Sequence, residues 1–175
     1  MFKRKILSKL EAWKRDERHK PLILRGARQV GKTTVVNEFG SQFDNYLYFN
    51  LEMNESVRLF EMDIPLNDLV NMLFASLGKS QREGSTLIFI DEIQNSPKTI
   101  ALLRYFYEQR PDLYVIAAGS LLENLVDVNV SFPVGRVMYM ALRPCSFYEF
   151  LGAIGKTNLL AVLSQKPEYT VAFHE

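Results

Sequence analysis

Apolar and polar positions along this chain follow two periods. Leu22-Ile23-Leu24, Tyr46-Leu47-Tyr48-Phe49, Leu87-Ile88-Phe89-Ile90, Leu113-Tyr114-Val115-Ile116-Ala117 and residues 137–142 are short apolar runs of strand length. Between them the spacing becomes helical. Phe2, Ile6, Leu10 and Trp13 recur on one helical face ahead of Pro21, and residues 32–39 read as a second helix. Leu66, Leu69, Val70, Leu73, Phe74 and Leu77 form an i, i+3, i+4, i+7 stripe behind Pro65. Ser96-Pro97 predicts an N-cap and a first-turn proline for a helix reaching about Arg110. The run at 87–90 is apolar without a break, as strands covered on both faces are. Strands alternating with helices predict an α/β fold around a parallel sheet.

The turn between the first strand and its helix carries chemistry. Gly26-Ala27-Arg28-Gln29-Val30-Gly31-Lys32-Thr33 fits G-x-x-x-x-G-K-[ST] at every fixed position. Glycines at 26 and 31 allow turns that a β-carbon would obstruct, so successive N–H groups converge on a phosphate. Lys32 opens the next helix, whose N-terminus favours an anion, and its ammonium can reach the β- and γ-phosphates of a nucleotide. The Thr33 hydroxyl suits Mg²⁺. Thr34 lies one position outside the pattern, on ordinary helix, and closes the expected nucleotide-binding stretch 26–34. A strand before and a helix after separate a phosphate loop from a Gly-rich turn bearing a surface lysine.

The strand at 87–90 ends in Asp91-Glu92. In a parallel sheet, ligands sit outside the carboxyl ends of the strands, the edge that also presents the phosphate loop. Asp91 is expected to hold Mg²⁺ through water, and Glu92 to act as general base or to orient and polarise the attacking water. Two carboxylates at a solvated strand end are the ordinary alternative. An adjacent Asp-Glu pair points to the P-loop NTPases with an additional strand: a three-layer αβα sandwich on a five-stranded parallel sheet, in the order 5-1-4-3-2. No Asn/Thr-Lys-x-Asp sequence for reading guanine occurs, which selects ATP over GTP.

These segments occur in order with Phe89-Ile90-Asp91-Glu92-Ile93-Gln94, Ala118-Gly119-Ser120, Gly135-Arg136 and the Leu142-Arg143-Pro144-Cys145-Ser146-Phe147-Tyr148-Glu149-Phe150 run. Together they resemble the ATP-binding half of a prokaryotic AAA+ (P-loop) ATPase family of uncharacterised cellular role, related to the archaeal-type ATPases. The resemblance implies an ATP-binding domain over residues 1–155, opened by a basic amphipathic helix within 1–20. Residues 156–175 would begin a lid or a following domain on a truncated chain. It further implies Mg²⁺-dependent ATP hydrolysis that couples nucleotide state to a conformational change. Ser120 falls where relatives place a polar sensor for the γ-phosphate, in a Thr-Gly-Ser-Ser type run; a helix cap for 121–125 is the alternative. Arg136 stands where an arginine meets a γ-phosphate in its own or a neighbouring subunit, which would make self-association part of the site. A strand-start arginine paired with a surface acid is the alternative. Phe147 and Phe150 are expected in a hydrophobic contact.

Composition alters this picture in one respect. The 47% hydrophobic and 23% charged residues are ordinary for a globular chain. The net charge of +1 conceals an asymmetry: residues 1–28 hold ten Lys/Arg against three acids, and the remainder eleven against seventeen. The basic start admits contact with nucleic-acid phosphates, though it also suits the solvated face of an amphipathic helix and the surroundings of a triphosphate. Residues 13–20 are a candidate neighbour of the adenine. Cys145 is the sole cysteine, and His19 and His174 stand far apart, so neither a disulfide nor a zinc site is expected. Apolar runs of about six residues are far short of the roughly 18 that span a membrane, and the expectation is a soluble, cytoplasmic protein. Beyond ATP and ADP the sequence names no partner.

Overall fold

Each apolar run becomes a strand of one five-stranded parallel sheet in the computed structural model, which describes residues 4–120 and 133–164. The strands are β1 (Leu22–Arg25), β2 (Asn45–Asn50), β3 (Thr86–Asp91), β4 (Leu113–Gly119) and β5 (Met138–Ala141), in the spatial order β2-β3-β4-β1-β5. This is the 5-1-4-3-2 order expected from the sequence. Leu22 lies opposite Ile116 on one side and Met138 on the other, and Asn50 opposite Asp91. All strands run the same way, so residues just after a strand gather at one edge and residues just before one gather at the other.

The helices are α1 (Ile6–Arg15), α2 (Lys32–Gly40), α3 (Asn54–Phe60), α4 (Leu66–Ser76), α5 (Pro97–Gln109), α6 (Phe147–Ala153) and α7 (Thr157–Ser164). Period-two alternation divides the sheet between two cores. Leu22, Leu24, Leu87, Phe89 and Ile116 face α1 and α2, where Leu10, Trp13, Val36 and Phe39 are buried. Ile23, Leu47, Phe49, Ile88, Ile90 and Val115 face α3, α4 and α5, where Phe60, Leu73, Ile100 and Phe106 are buried. Helix α5 begins as expected, with Ser96 Oγ accepting from the Thr99 amide at 3.2 Å and Pro97 in the first turn. Helix α3 has no counterpart in the sequence pattern, because its seven residues bury only Phe60 and its N-cap, Met53, has no capping side chain. The segment 121–125 lies outside the described residues.

The chain divides into two compact units. Ile6–Pro144 carries the sheet, and the second unit joins the residues up to Lys5 to the chain from Cys145 onward. In the second unit α6 and α7 are joined through Gly155, whose φ of 72° few other residues adopt. Ser146 and Glu149 form a reciprocal capping box at the start of α6. Glu149 also accepts from the Lys5 amide at 2.8 Å and from Arg4 Nε at 3.2 Å. Glu149 and Leu151 are therefore the positions that face inward. Phe147 and Phe150, expected in a hydrophobic contact, are instead 62% and 49% exposed.

Partial burial pushes the Glu149 carboxyl up, but the amides of Ser146 and Lys5, the Ser146 side chain and Arg4 outweigh it and hold the group at about 2. A pKa depressed in the folded state contributes stability above the unfolded value of 4.5, lost as pH falls towards 2. Exchange of the Lys5 amide and of the first turn of α6 should accelerate, relative to the unstructured-chain rate at the same pH, between pH 4.5 and pH 2. In Glu149→Ala that exchange should already be fast at neutral pH; hydrogen-exchange mass spectrometry reads both.

Candidate nucleotide-binding site

The loop from Gly26 to Gly31 runs from the end of β1 to the start of α2. Its two glycines serve different needs. Gly31 adopts φ 92° and ψ 28°, the left-handed region that a β-carbon disfavours. At Gly26 the constraint is space, because a Cβ would collide with the backbone carbonyl oxygen of Leu142 at the end of β5. Gln29 holds a left-handed conformation without being glycine, at φ 62°. Gly31, the N-cap of α2, brings no side chain, so the first amides of the helix remain available to an anion.

Lys32 is 6% exposed, and its Nζ donates to the carbonyl oxygens of Gly26 at 2.9 Å and Ala27 at 3.0 Å. The ammonium is thus folded back into the curve of its own loop. Thr33 Oγ1 donates to Asp91 Oδ2 at 2.6 Å, joining the start of α2 to the end of β3. Asp91 is 3% exposed, and its other oxygen accepts from the Glu92 amide at 3.0 Å. Glu92 has φ 53° and ψ 45°, and its carboxylate accepts from Gln94 Nε2. Arg28, Gln29, Gly31, Lys32, Thr33, Thr34 and Glu92 line one open cleft of about 490 Å³. A carboxylate and a hydroxyl oxygen held together beside a phosphate-type loop are the hard donors that Mg²⁺ takes.

Glu52 lines the same cleft, although no motif in the sequence marks it. It lies just past β2, and Asn50 Oδ1 accepts from its amide at 2.9 Å. The strand pattern does hold a signal for it, since any residue just past the end of a parallel strand reaches this edge. Tyr48 lies on β2; burial first, then the negative charges of Asp91, Glu92 and Glu52, push its hydroxyl above its usual range.

The remaining candidates separate. Ser120 comes directly after β4 at the edge of the phosphate loop, where Gly119 pairs with Arg25. Its Oγ is buried and has no hydrogen-bond partner among the described residues. Arg136 lies elsewhere. It precedes β5, so it sits at the opposite edge, where its Nε donates to Glu108 at 2.6 Å. The structure does not bring it to the phosphate loop of its own chain, and what it forms is the pair with a surface acid. Residues 13–20 are also at that far edge: His19 stacks on Tyr114, 4.0 Å between centroids, and its Nε2 is 3.3 Å from the carbonyl oxygen of Leu113, where β4 begins. None of residues 13–20 lines the cleft beside the phosphate loop.

Burial pushes the Asp91 carboxyl above its usual range, against hydrogen bonds from Thr33 and the Glu92 amide that pull it back. A raised pKa means stability is lost as pH rises through the folded value, so at neutral pH the ionised group is a net cost to the fold. Asparagine keeps an acceptor for the Glu92 amide and offers an N–H to the Thr33 hydroxyl. Asp91→Asn should therefore melt higher than the parent without nucleotide, by on the order of 1 kcal/mol or roughly 2–4 °C. It should also lose the further rise that Mg²⁺ with ATP gives the parent; differential scanning fluorimetry measures both.

A phosphate loop leading into a helix, with an acidic strand end facing it across one cleft, defines a P-loop nucleotide-binding protein of the αβα type. The AAA domain family model matches residues 18–151, and the chain belongs to this family of P-loop AAA+ ATPases. Among solved structures, a chain of the structure of Drosophila ORC bound to DNA superposes with a TM-score of 0.53 at 16% identity. The match covers 90% of this chain and 48% of that one, so the present chain spans about half its length. No curated protein sequence matches. No helix among the described residues is long and apolar enough to cross a membrane.

Proposed function

We propose that this chain is a Mg²⁺-dependent ATP hydrolase in which nucleotide state sets the conformation. The observation that carries the reading is that Lys32 and Thr33, at the start of α2, line one cleft with Glu92, just past β3, while the Thr33 hydroxyl is bonded to Asp91 at the end of β3. Residues 26–34 would hold the phosphates through loop amides and Lys32. Thr33 and Asp91 would hold Mg²⁺, which when bound neutralises charge on the phosphate oxygens. Glu92 would take the proton of the attacking water or align that water. Ser120, whose buried hydroxyl has no partner among the described residues, is suited to report on the terminal phosphate. Given its far-edge position, Arg136 would act only in the site of a neighbouring copy, and only after leaving Glu108.

The test is phosphate release from purified protein with ATP and Mg²⁺. Turnover that requires Mg²⁺, and that excess ATP but not GTP saturates, supports the reading. Tight ATP binding with no turnover would replace it with a nucleotide-dependent interaction switch. A turnover per chain that rises with protein concentration, and ceases to rise in Arg136→Ala, would support action between copies.

A nucleic-acid-dependent ATPase is the second reading, favoured by the DNA-bound state of the ORC structure it resembles in fold. The basic start supports it weakly, because much of that charge is engaged locally. Arg4 pairs with Glu149, Lys14 donates to the Gln42 carbonyl, Lys20 to the Gly135 carbonyl, and Arg25 lies 4.1 Å over the Tyr139 ring. Stimulation of turnover by added DNA or RNA, lost as salt rises, would establish this reading.

A further inference from the structure

Beyond the residues that hold phosphate and metal, the structure singles out the side chain that holds Glu92. Glu92 occupies the left-handed region, unusual for a residue with a β-carbon and a mark of sites where direction outweighs backbone comfort. A single 3-10 turn, Ile93–Asn95, comes next. The turn is fixed at both ends: Ile93 is fully buried, and Asn95 Nδ2 donates to the Leu51 carbonyl at 3.2 Å. Between these anchors Gln94 turns its amide back on Glu92, and Nε2 donates to Glu92 Oε2. The orientation is dictated by chemistry, since the amide oxygen cannot pair with a carboxylate oxygen. Gln94 Oε1 is buried without a partner among the described residues. A side chain present only to fill space would be apolar here and leave no such acceptor.

We infer that Gln94 is a positioning residue for Glu92: it fixes one carboxylate oxygen and leaves Oε1 of Glu92 to meet water. A neutral amide suits this task. A lysine or arginine would hold the carboxylate more strongly but reduce its basicity, and an acid would repel it. Glu92 lines the cleft and Gln94 does not, so Gln94 acts through Glu92 and not on the substrate. The inference rests on the hydrolase reading for its consequence in turnover, but the hydrogen bond itself is testable without nucleotide.

Gln94→Met preserves length and removes the donor. It should lower kcat roughly tenfold or more, with KM and the ATP dissociation constant changed by less than about twofold. In a Glu92→Gln background the same substitution should cost nothing further, because the two residues act as one unit. In the nucleotide-free protein, the side-chain amide resonances of Gln94, identified by their loss in Gln94→Met, should shift in Glu92→Ala. A full kcat in Gln94→Met beside a crippled Glu92→Gln overturns the proposal alone. So do losses that multiply in the double variant, or amide resonances that ignore Glu92→Ala. A wild-type chain without turnover, or a Glu92→Gln chain as active as wild type, overturns the hydrolase reading and the turnover role of Gln94 together.

Discussion

Lys32→Ala should weaken ATP binding by about a hundredfold while leaving the fold intact. The size reflects the bond that is lost. An ammonium on a phosphate oxygen is a charge-assisted contact, and deleting it costs roughly 3 kcal/mol, or two decades in dissociation constant. The fold should survive because Lys32 supports nothing except its own loop: its Nζ contacts the Gly26 and Ala27 carbonyls, and neither core includes it. Those contacts also explain why arginine is a poor substitute. The curve of the loop admits a compact point charge, whereas a planar guanidinium needs more room and a forked acceptor. Isothermal titration with a slowly hydrolysed ATP analogue should show Lys32→Arg also weakened, with both variants melting within a few degrees of wild type. ATP affinity unchanged in Lys32→Ala would remove Lys32 from the site.

The fold is legible in the sequence where apolar runs are long and their ends well marked. All five strands and their order can be read from the pattern of runs, the phosphate loop and the acidic strand end. Helix α3 is not legible, since one buried phenylalanine leaves no period to detect. The site is legible in its motifs and less so in its geography. One rule places Asp91 beside the phosphate loop: in a parallel sheet, residues at the carboxyl ends of the strands share one edge. The same rule implies that residues entering a strand lie at the other edge. Applied consistently, it removes Arg136 and residues 13–20 from the cleft of their own chain, and it brings in Glu52 after β2. Gln94 is beyond reach of that rule, because its role depends on a left-handed Glu92 and a turn pinned to Leu51. Pairings of this kind are set by packing, and no spacing of residue types announces them. The charge asymmetry behaves likewise: which lysines and arginines face solvent depends on carbonyls and rings far along the chain, such as Gly135 and Tyr139.

Glu92→Gln should reduce turnover by about two to three orders of magnitude with ATP binding retained, the range a positioned general base contributes. Lys32→Ala should behave in the opposite way. In the proposed site the lysine would contact phosphate in ground state and transition state alike, so its loss should appear first in affinity. In the proposed role Glu92 has no charge to complement on the nucleotide, and its carboxylate would matter only when water gives up a proton. Glutamine keeps the size of the side chain and one carbonyl oxygen that can still accept from Gln94 Nε2, so the turn at Ile93–Asn95 has no reason to rearrange. Thr33 and Asp91, the groups expected to hold the metal, keep their mutual hydrogen bond, so metal retention should hold. The expected variant is therefore a protein that retains ATP with Mg²⁺ and releases phosphate very slowly. Equilibrium binding of ATP beside single-turnover phosphate release separates the two quantities. A fall in both together would mean that Glu92 shapes the site without acting on water, and unchanged release would assign the base to another group, with Glu52 the remaining carboxylate on the cleft.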